Sequence, residues 1–231
     1  MLYLVSYLVI DSWGKHVVMD KRFLIILVVL VVGFFGFLAF RPKEDSPSAN
    51  AELTNHIRGE GTITLTEYGD FQCPACFSYK PTIDQVLAKY DGKVRFQFRH
   101  LPLSSIHANA VSAARAAEAA SLQGKFWEMY DKLYDQTGWL TWSQSSNNAA
   151  PTFRTYAQQI GLNMEQYDQD VNSAEVLASI NADRAEAERL GFTGTPSFQL
   201  NGETITVSEN SVDAFSKIID EALAKQTDSQ Q

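Results

Sequence analysis

The chain has 231 residues, 45% of them hydrophobic and 12% aromatic, enough to bury a substantial core and too apolar for a disordered polymer. Its formal net charge is −8, and five basic but only two acidic residues fall in the first 43 positions, so the remainder is more acidic still. That balance argues against nucleic acid as a partner.

Residues 2–10 are apolar but too short to cross a bilayer, and Asp11 and Gly14 interrupt them; no role is assigned to residues 1–18. Residues 23–40, FLIILVVLVVGFFGFLAF, form the longest uncharged apolar run. Eighteen residues at ~1.5 Å each give roughly 27 Å of helix, against a hydrocarbon core of ~30 Å. This predicts a single transmembrane anchor at 23–40 behind a cytoplasmic segment at 1–22. Met19-Asp20-Lys21-Arg22 makes an ordinary anchor start, so translation is expected to begin at Met19. Lys21 and Arg22 flank one side, while Arg41 and Lys43 on the other are offset by Glu44 and Asp45, which favours an N-terminus inside the cell membrane and a C-terminus outside. The alternative is a cleaved signal peptide ending at Ala49-Asn50-Ala51; the apolar run exceeds the usual length for one, and Ala51 lies well downstream.

Residues 41–54 are rich in Pro, Ser and charge and read as a linker, with one folded domain over 55–225 and a disordered tail at 226–231. Residues 62–68 and 94–100 alternate as strands, with a helix over 74–90 between them. From about 104 to 191 strand signals vanish, and an all-helical insertion is expected, with helices at 107–123, 125–136, 151–160, 164–171 and 174–190. Residues 139–150 read as a polar surface loop pinned by Trp139 and Trp142. Strands return at 197–200 and 203–207 around Asn201-Gly202, a strong hairpin signal, and Ser211 caps a last helix. The fold class is α/β, in the order strand, helix, strand, helical block, hairpin, helix.

The only two cysteines form Cys73-Pro74-Ala75-Cys76, where a strand gives way to a helix. At a helix N-terminus, free N–H groups and the helix dipole stabilise a thiolate, and Pro74 has no N–H to waste there. Cys73 is therefore expected to be the exposed, low-pKa nucleophile. Cys76, one turn on, lies within disulfide reach, more shielded, and is the resolving thiol. A CxxC can also be half of a zinc site, which needs about two more ligands. No third cysteine exists and the four histidines lack paired spacing, so no metal is expected; zinc would require His56, His100 or His107 to converge. A structural disulfide is the other alternative, though it closes only a tiny loop. Glu67 shares strand parity with Ile63 and Leu65, which predicts a carboxylate pointing into an apolar layer beneath the cysteines. His100 and His107 receive no role.

The stretch Leu65-Thr66-Glu67-Tyr68-Gly69-Asp70-Phe71-Gln72-Cys73-Pro74-Ala75-Cys76 resembles the active-site strand and helix start of DsbA-like thioredoxin-fold proteins. Pro81, five residues after Cys76, matches their helix-kinking proline, Gly194-Thr195-Pro196 matches their cis-proline loop, and the helical insertion matches their arrangement. The likeness covers roughly residues 55–225. It implies a thioredoxin-like fold, a cis Thr195–Pro196 bond whose backbone pairs with an extended substrate, and a role for Glu67 in deprotonating Cys76. The sequence departs from the family's best-known oxidants at Pro74-Ala75, which lacks the histidine often found before the second cysteine.

The resulting expectation is a membrane-anchored extracytoplasmic thiol-disulfide oxidoreductase, without cofactor, forming disulfides in exported proteins through Cys73 and Cys76. Its resemblance implies reoxidation by a membrane quinone-linked partner. A tethered reductase or isomerase is the first rival. A non-catalytic, chaperone-like peptide-binding domain with a structural disulfide is the second. Residues 41–61 are too short for a dimerisation segment, so a monomer is expected.

Overall fold

The computed structural model describes residues 9–10, 16–17, 25–27, 29–31, 52–145 and 147–228. The chain divides into two compact units, Met1–Ser46 and Pro47–Gln231. In the first, β1 (Val9–Ile10) pairs antiparallel with β2 (His16–Val17), in the stretch to which the sequence assigned no role. Residues 25–27 and 29–31 of the expected anchor are helical with exposed apolar side chains. The rest of that run, Met19 and Ala49-Asn50-Ala51 lie outside the described residues. Among the described residues no helix is long and apolar enough to cross a membrane.

The second unit opens with β3 (His56–Arg58), β4 (Ile63–Gly69), α1 (Pro74–Lys89) and β5 (Val94–His100). A helical block follows: α2 (Ala110–Ser121), α3 (Phe126–Leu133), α4 (Trp139–Ser143), α5 (Ala150–Gln159), α6 (Met164–Asp170) and α7 (Ala174–Arg189). The hairpin β6 (Ser197–Leu200) and β7 (Glu203–Ile205) and the helix α8 (Val212–Asp228) complete it. The sheet order is β3-β5-β4-β6-β7; β4 and β5 are parallel because α1 carries the chain back across the sheet, and the other neighbours are antiparallel. Asn201 and Gly202 both take positive φ, 51° and 85°, as a tight hairpin turn demands.

Register shows what each face is made of. Leu65 lies opposite Phe96 and Leu200, and Ile63 opposite Val94, so one face is apolar. Thr64, Thr66 and Tyr68 sit beside Arg95, Gln97 and Arg99 on the other. Tyr79 of α1 packs between Phe198 and Phe215, which holds α1 and α8 on the apolar face. Phe98 meets Phe126 and Tyr130 of α3 on that same face. In α2, five alanines, Ala113, Ala116, Ala117, Ala119 and Ala120, are fully buried, and their small side chains let its neighbours approach closely. Asn163, Ser173 and Ser211 cap α6, α7 and α8 by accepting the backbone N–H of Gln166, Val176 and Ala214.

Four expectations are corrected. Residues 139–150 are not a surface loop: α4 occupies Trp139–Ser143, and Trp139, Trp142 and Ser143 are buried. The three-residue edge strand β3 was missed, being too short to show alternation. The expected linker ends too late, because Thr54 donates its backbone N–H and its hydroxyl to the buried carboxylate of Asp183. Finally, α8 runs to Asp228, into the expected tail, whose residues 229–231 lie outside the described residues.

Candidate active site

The apolar face ends beneath a turn. β4 stops at Gly69, where an added Cβ would stand 2.4 Å from Cε2 of the buried Phe98 ring, so glycine is required by close approach. Asp70 then organises the turn into α1. Its Oδ1 accepts the Gln72 N–H at 2.8 Å, and its Oδ2 accepts the Leu103 N–H at 2.9 Å and meets His107 Nδ1 at 2.7 Å. Its carbonyl accepts the Cys73 N–H at 3.0 Å and the Tyr134 hydroxyl at 3.1 Å. The helical block braces the same turn: Trp139 Nε1–H donates to the Phe71 carbonyl at 2.8 Å, and its ring stacks on Phe77 at 4.2 Å. Gln72 donates to the Ser143 carbonyl and accepts the Asn109 N–H, each at 2.6 Å.

Cys73 is the N-cap of α1, extended at φ −72° and ψ 124°, with Pro74 in the first helical position. Both thiols are free. Cys73 is 7% exposed and Cys76 1%, so Cys73 is the more accessible of the two but not the exposed residue expected; Pro74 and Ala75 stand outermost instead. Pro81 lies inside α1. The Thr195–Pro196 bond is cis, and the Thr195 carbonyl comes within 3.4 Å of the Cys73 sulfur.

The electrostatics separate the two thiols. Donation from the Cys76 thiol is the largest influence on Cys73 and lowers its pKa to about 5 against the opposing effect of burial; Thr195 and the N–H groups of Ala75 and Cys76 add to the lowering. A thiolate has no proton to give the Thr195 carbonyl. The Thr195 hydroxyl, buried and otherwise unpartnered among the described residues, is the group able to donate to it. Cys76 moves the other way, pushed well above its ordinary range by burial first, then by its bond to Cys73 and by the charge of Glu67. The Asp70 N–H, 3.5 Å from the Cys76 sulfur, partly offsets this.

Glu67 sits on the apolar face, in register with Phe98 on β5 and Phe198 on β6, and is 1% exposed. Neither carboxylate oxygen has a hydrogen bond of ordinary geometry among the described residues, so the relief it draws from the Cys76 thiol is a weak, longer-range donation. Burial raises its pKa to about 8, which leaves the carboxyl mostly protonated at neutral pH.

The structure thus brings Glu67, Cys73, Cys76, Thr195 and Pro196 together. The sequence reading missed the bracing set: Asp70, Gln72, His107, Asn109, Tyr134 and Trp139. Asp70 alone carried a local signal, since an Asp two residues before an N–H it accepts is a common turn device. Gln72 adjoins Cys73 but finds its partners far along the chain, and His107, Asn109, Tyr134 and Trp139 reach the site from 30 to 70 residues away, which no spacing reveals. His56 and His100 converge on Glu118, not on the cysteines.

Two free cysteines at a helix head, facing a cis-proline on a sheet interrupted by helices, define a thioredoxin-like arrangement, with thiol-disulfide exchange as the chemistry open to it. The chain belongs to the thioredoxin family: a family model described as Thioredoxin matches residues 54–221. Among solved structures, a thioredoxin-like oxidoreductase from Silicibacter pomeroyi superposes with TM-score 0.61 at 26% identity, covering 80% of this chain and 99% of that one. BdbD from Bacillus subtilis gives TM-score 0.63 at 17% identity over 74% and 93%, and alpha-DsbA1 from Wolbachia pipientis 0.63 at 20% over 80% and 100%; these two show the shared fold. Among curated proteins, the Na(+)/H(+) antiporter NhaA 1 of Mycolicibacterium vanbaalenii is 40% identical over 216 residues, which is 87% of this chain and 33% of that protein. NhaA 1 of Mycolicibacterium gilvum is 39% identical over 153 residues, 64% of this chain and 24% of that protein. The chain spans a third or less of the length of these relatives.

Proposed function

We propose that the chain is a thiol-disulfide oxidoreductase that forms disulfides in exported proteins, held at the membrane by residues 23–40 with its catalytic unit outside. The observation that carries this is the split between the thiols. A Cys73 pKa near 5 stabilises the reduced form at neutral pH, and a disulfide whose reduced form is stabilised is an oxidant. The lowering needs no histidine at the dipeptide, because the Cys76 thiol, Thr195 and the helix N–H groups supply it.

In the forward direction a substrate thiolate attacks the Cys73 sulfur of the Cys73–Cys76 disulfide. A bond forms between those two sulfurs, the bond to Cys76 breaks, and Cys76 leaves as a thiolate. Protonated Glu67 faces that sulfur and supplies the proton, since the Cys76 thiol is the weaker acid. A second substrate thiolate then attacks the substrate sulfur of the mixed disulfide and expels Cys73, a good leaving group at its low pKa. The substrate leaves oxidised by two electrons and the pair is reduced; a quinone-linked membrane protein of the kind the family uses takes those electrons onward, and Glu67 recovers its proton as Cys76 is deprotonated. The backbone at Thr195 and Pro196 pairs with an extended substrate strand. No ion transport is carried over from the antiporter-named relatives.

The test is the redox equilibrium of the chain against glutathione buffers, with Cys76→Ser used to trap the mixed disulfide on Cys73. A potential at or above about −180 mV supports the oxidase, and one near −270 mV assigns a tethered reductase instead. Absence of exchange leaves a structural pair in a peptide-binding domain.

A further inference from the structure

Outside the thiol site, three metal-capable side chains from three separate elements meet at one point. His56 on β3 and His100 at the end of β5 bring their Nε2 atoms to 2.5 and 2.6 Å from the same Glu118 Oε1 in the last turn of α2. All three ligand atoms lie within 4.8 Å of one another. The residues are 8%, 1% and 7% exposed. Aromatic packing orients the rings: His56 stacks on Phe126 at 3.5 Å and 4°, and His100 stands edge-on to Phe98 at 5.5 Å and to Phe126 at 6.0 Å. The planes of both rings are therefore held by core packing.

A buried carboxylate needs a counter-charge. On the neighbouring helix α7 the fold supplies an ordinary one, for Asp183 is met by Arg99 at 3.1 Å, by Thr54 and by the His100 N–H at 2.9 Å. Glu118 has no arginine or lysine partner among the described residues; its ion-pair partners there are the two imidazoles.

We infer that His56, His100 and Glu118 form a binding site for a divalent late first-row ion of the zinc class, which fastens the helical block to the sheet. Two imidazole nitrogens and one carboxylate oxygen are a donor set that zinc accepts, whereas calcium and magnesium require mostly oxygen. The Nε2 atoms give up any proton they hold, and Nδ1 becomes the protonated nitrogen of each ring. Ligands drawn from β3, β5 and α2 tie together segments that α3 also links, through packing, the Arg58–Asp131 ion pair and the Trp127 Nε1–H donated to the Ile57 carbonyl. Because Phe71, two residues before Cys73, packs 6.0 Å from His100, the ion steadies the base of the thiol turn. The inference does not depend on the redox reading.

The experiment uses the full chain with Cys73→Ser and Cys76→Ser, so that thiolates do not compete for zinc. The protein is stripped with a chelator, then titrated with Zn²⁺ by calorimetry and with Co²⁺ by visible absorption. One ion per chain, ligand-field bands on cobalt addition, and an unfolding midpoint raised by about 5–10 °C at 100-fold excess over the Kd are expected. Glu118→Gln should abolish all three. Should that variant fail to fold, the imidazole ¹⁵N signals of the folded chain decide, since zinc must shift both Nε2 resonances at one equivalent. If zinc leaves the midpoint and both ring signals unmoved, the counter-charge is a proton shared by the two rings and the inference falls.

Discussion

Two acids in one core are driven in opposite directions, and each has a pH signature. Cys73, lowered to about 5 from 9.0, binds its proton less tightly in the folded reduced protein than in the unfolded chain. That stabilisation is fully present above pH 9 and is lost as pH falls through 5. The reduced form should therefore be more stable than the disulfide form at pH 7, with the gap closing toward pH 5, as measured by urea unfolding of both forms. Alkylation of Cys73 should likewise rise through a midpoint near pH 5 rather than 9. Glu67 has the opposite sign: an acid raised from 4.5 to about 8 holds its proton more tightly when folded, so its effect lowers stability as pH rises from 4.5 to 8 and is constant beyond. Glu67→Gln should be more stable than the parent by on the order of a few kcal/mol at pH 8.5 and equal to it near pH 4. The same variant should slow exchange at Cys76, and unchanged exchange rates across pH 6 to 8 would remove Glu67 from the chemistry.

At the scale of elements, the short helix α4 decides how rigid the thiol turn is. Trp139→Phe leaves a smaller aromatic ring to stack on Phe77 and removes the Nε1–H that satisfies the Phe71 carbonyl. The expected cost is about 1–3 kcal/mol in denaturant unfolding, from one buried unsatisfied carbonyl. Gly69→Ala should cost about 1–3 kcal/mol, because the new methyl meets Phe98 in a filled core. Neither dependence was legible in the sequence. Residues 139–150 were read as loop because their polar composition outweighs a five-residue helix, and helices that short owe their existence to tertiary contacts rather than propensity. The long elements were legible for the opposite reason: β5 at Val94–His100 and β6 at Ser197–Leu200 match the expected bounds, since alternation over four to seven residues records burial on one face.

Across the whole second unit, Asp183 on α7 joins segments distant in sequence: Thr54 ahead of the sheet, and Arg99 and His100 on β5. Asp183→Ala should destabilise the fold by about 3–5 kcal/mol, since it leaves the Arg99 charge without its buried partner. A loss below about 1 kcal/mol in chemical unfolding would show that Arg99 finds solvent instead. Thr54 was assigned to the linker for want of this partner, 129 residues away.

The sequence by itself determined the candidate chemistry and the order of the longer elements. A CxxC at a strand-to-helix junction, a glutamate in phase with Ile63 and Leu65, and a Gly-Thr-Pro ahead of a strand are local statements, and local periodicity and helix-end electrostatics suffice to read them. Tertiary structure alone decided that Cys73 is recessed while Pro74 and Ala75 stand out, and that Trp139, Tyr134 and Asp70 brace the turn. It alone decided that Glu67 lies between Phe98 and Phe198, and that two histidines 44 residues apart share one glutamate. Burial depth, pKa and convergence depend on neighbours that only the folded chain brings within a few ångströms, and spacing along the chain carries no record of them.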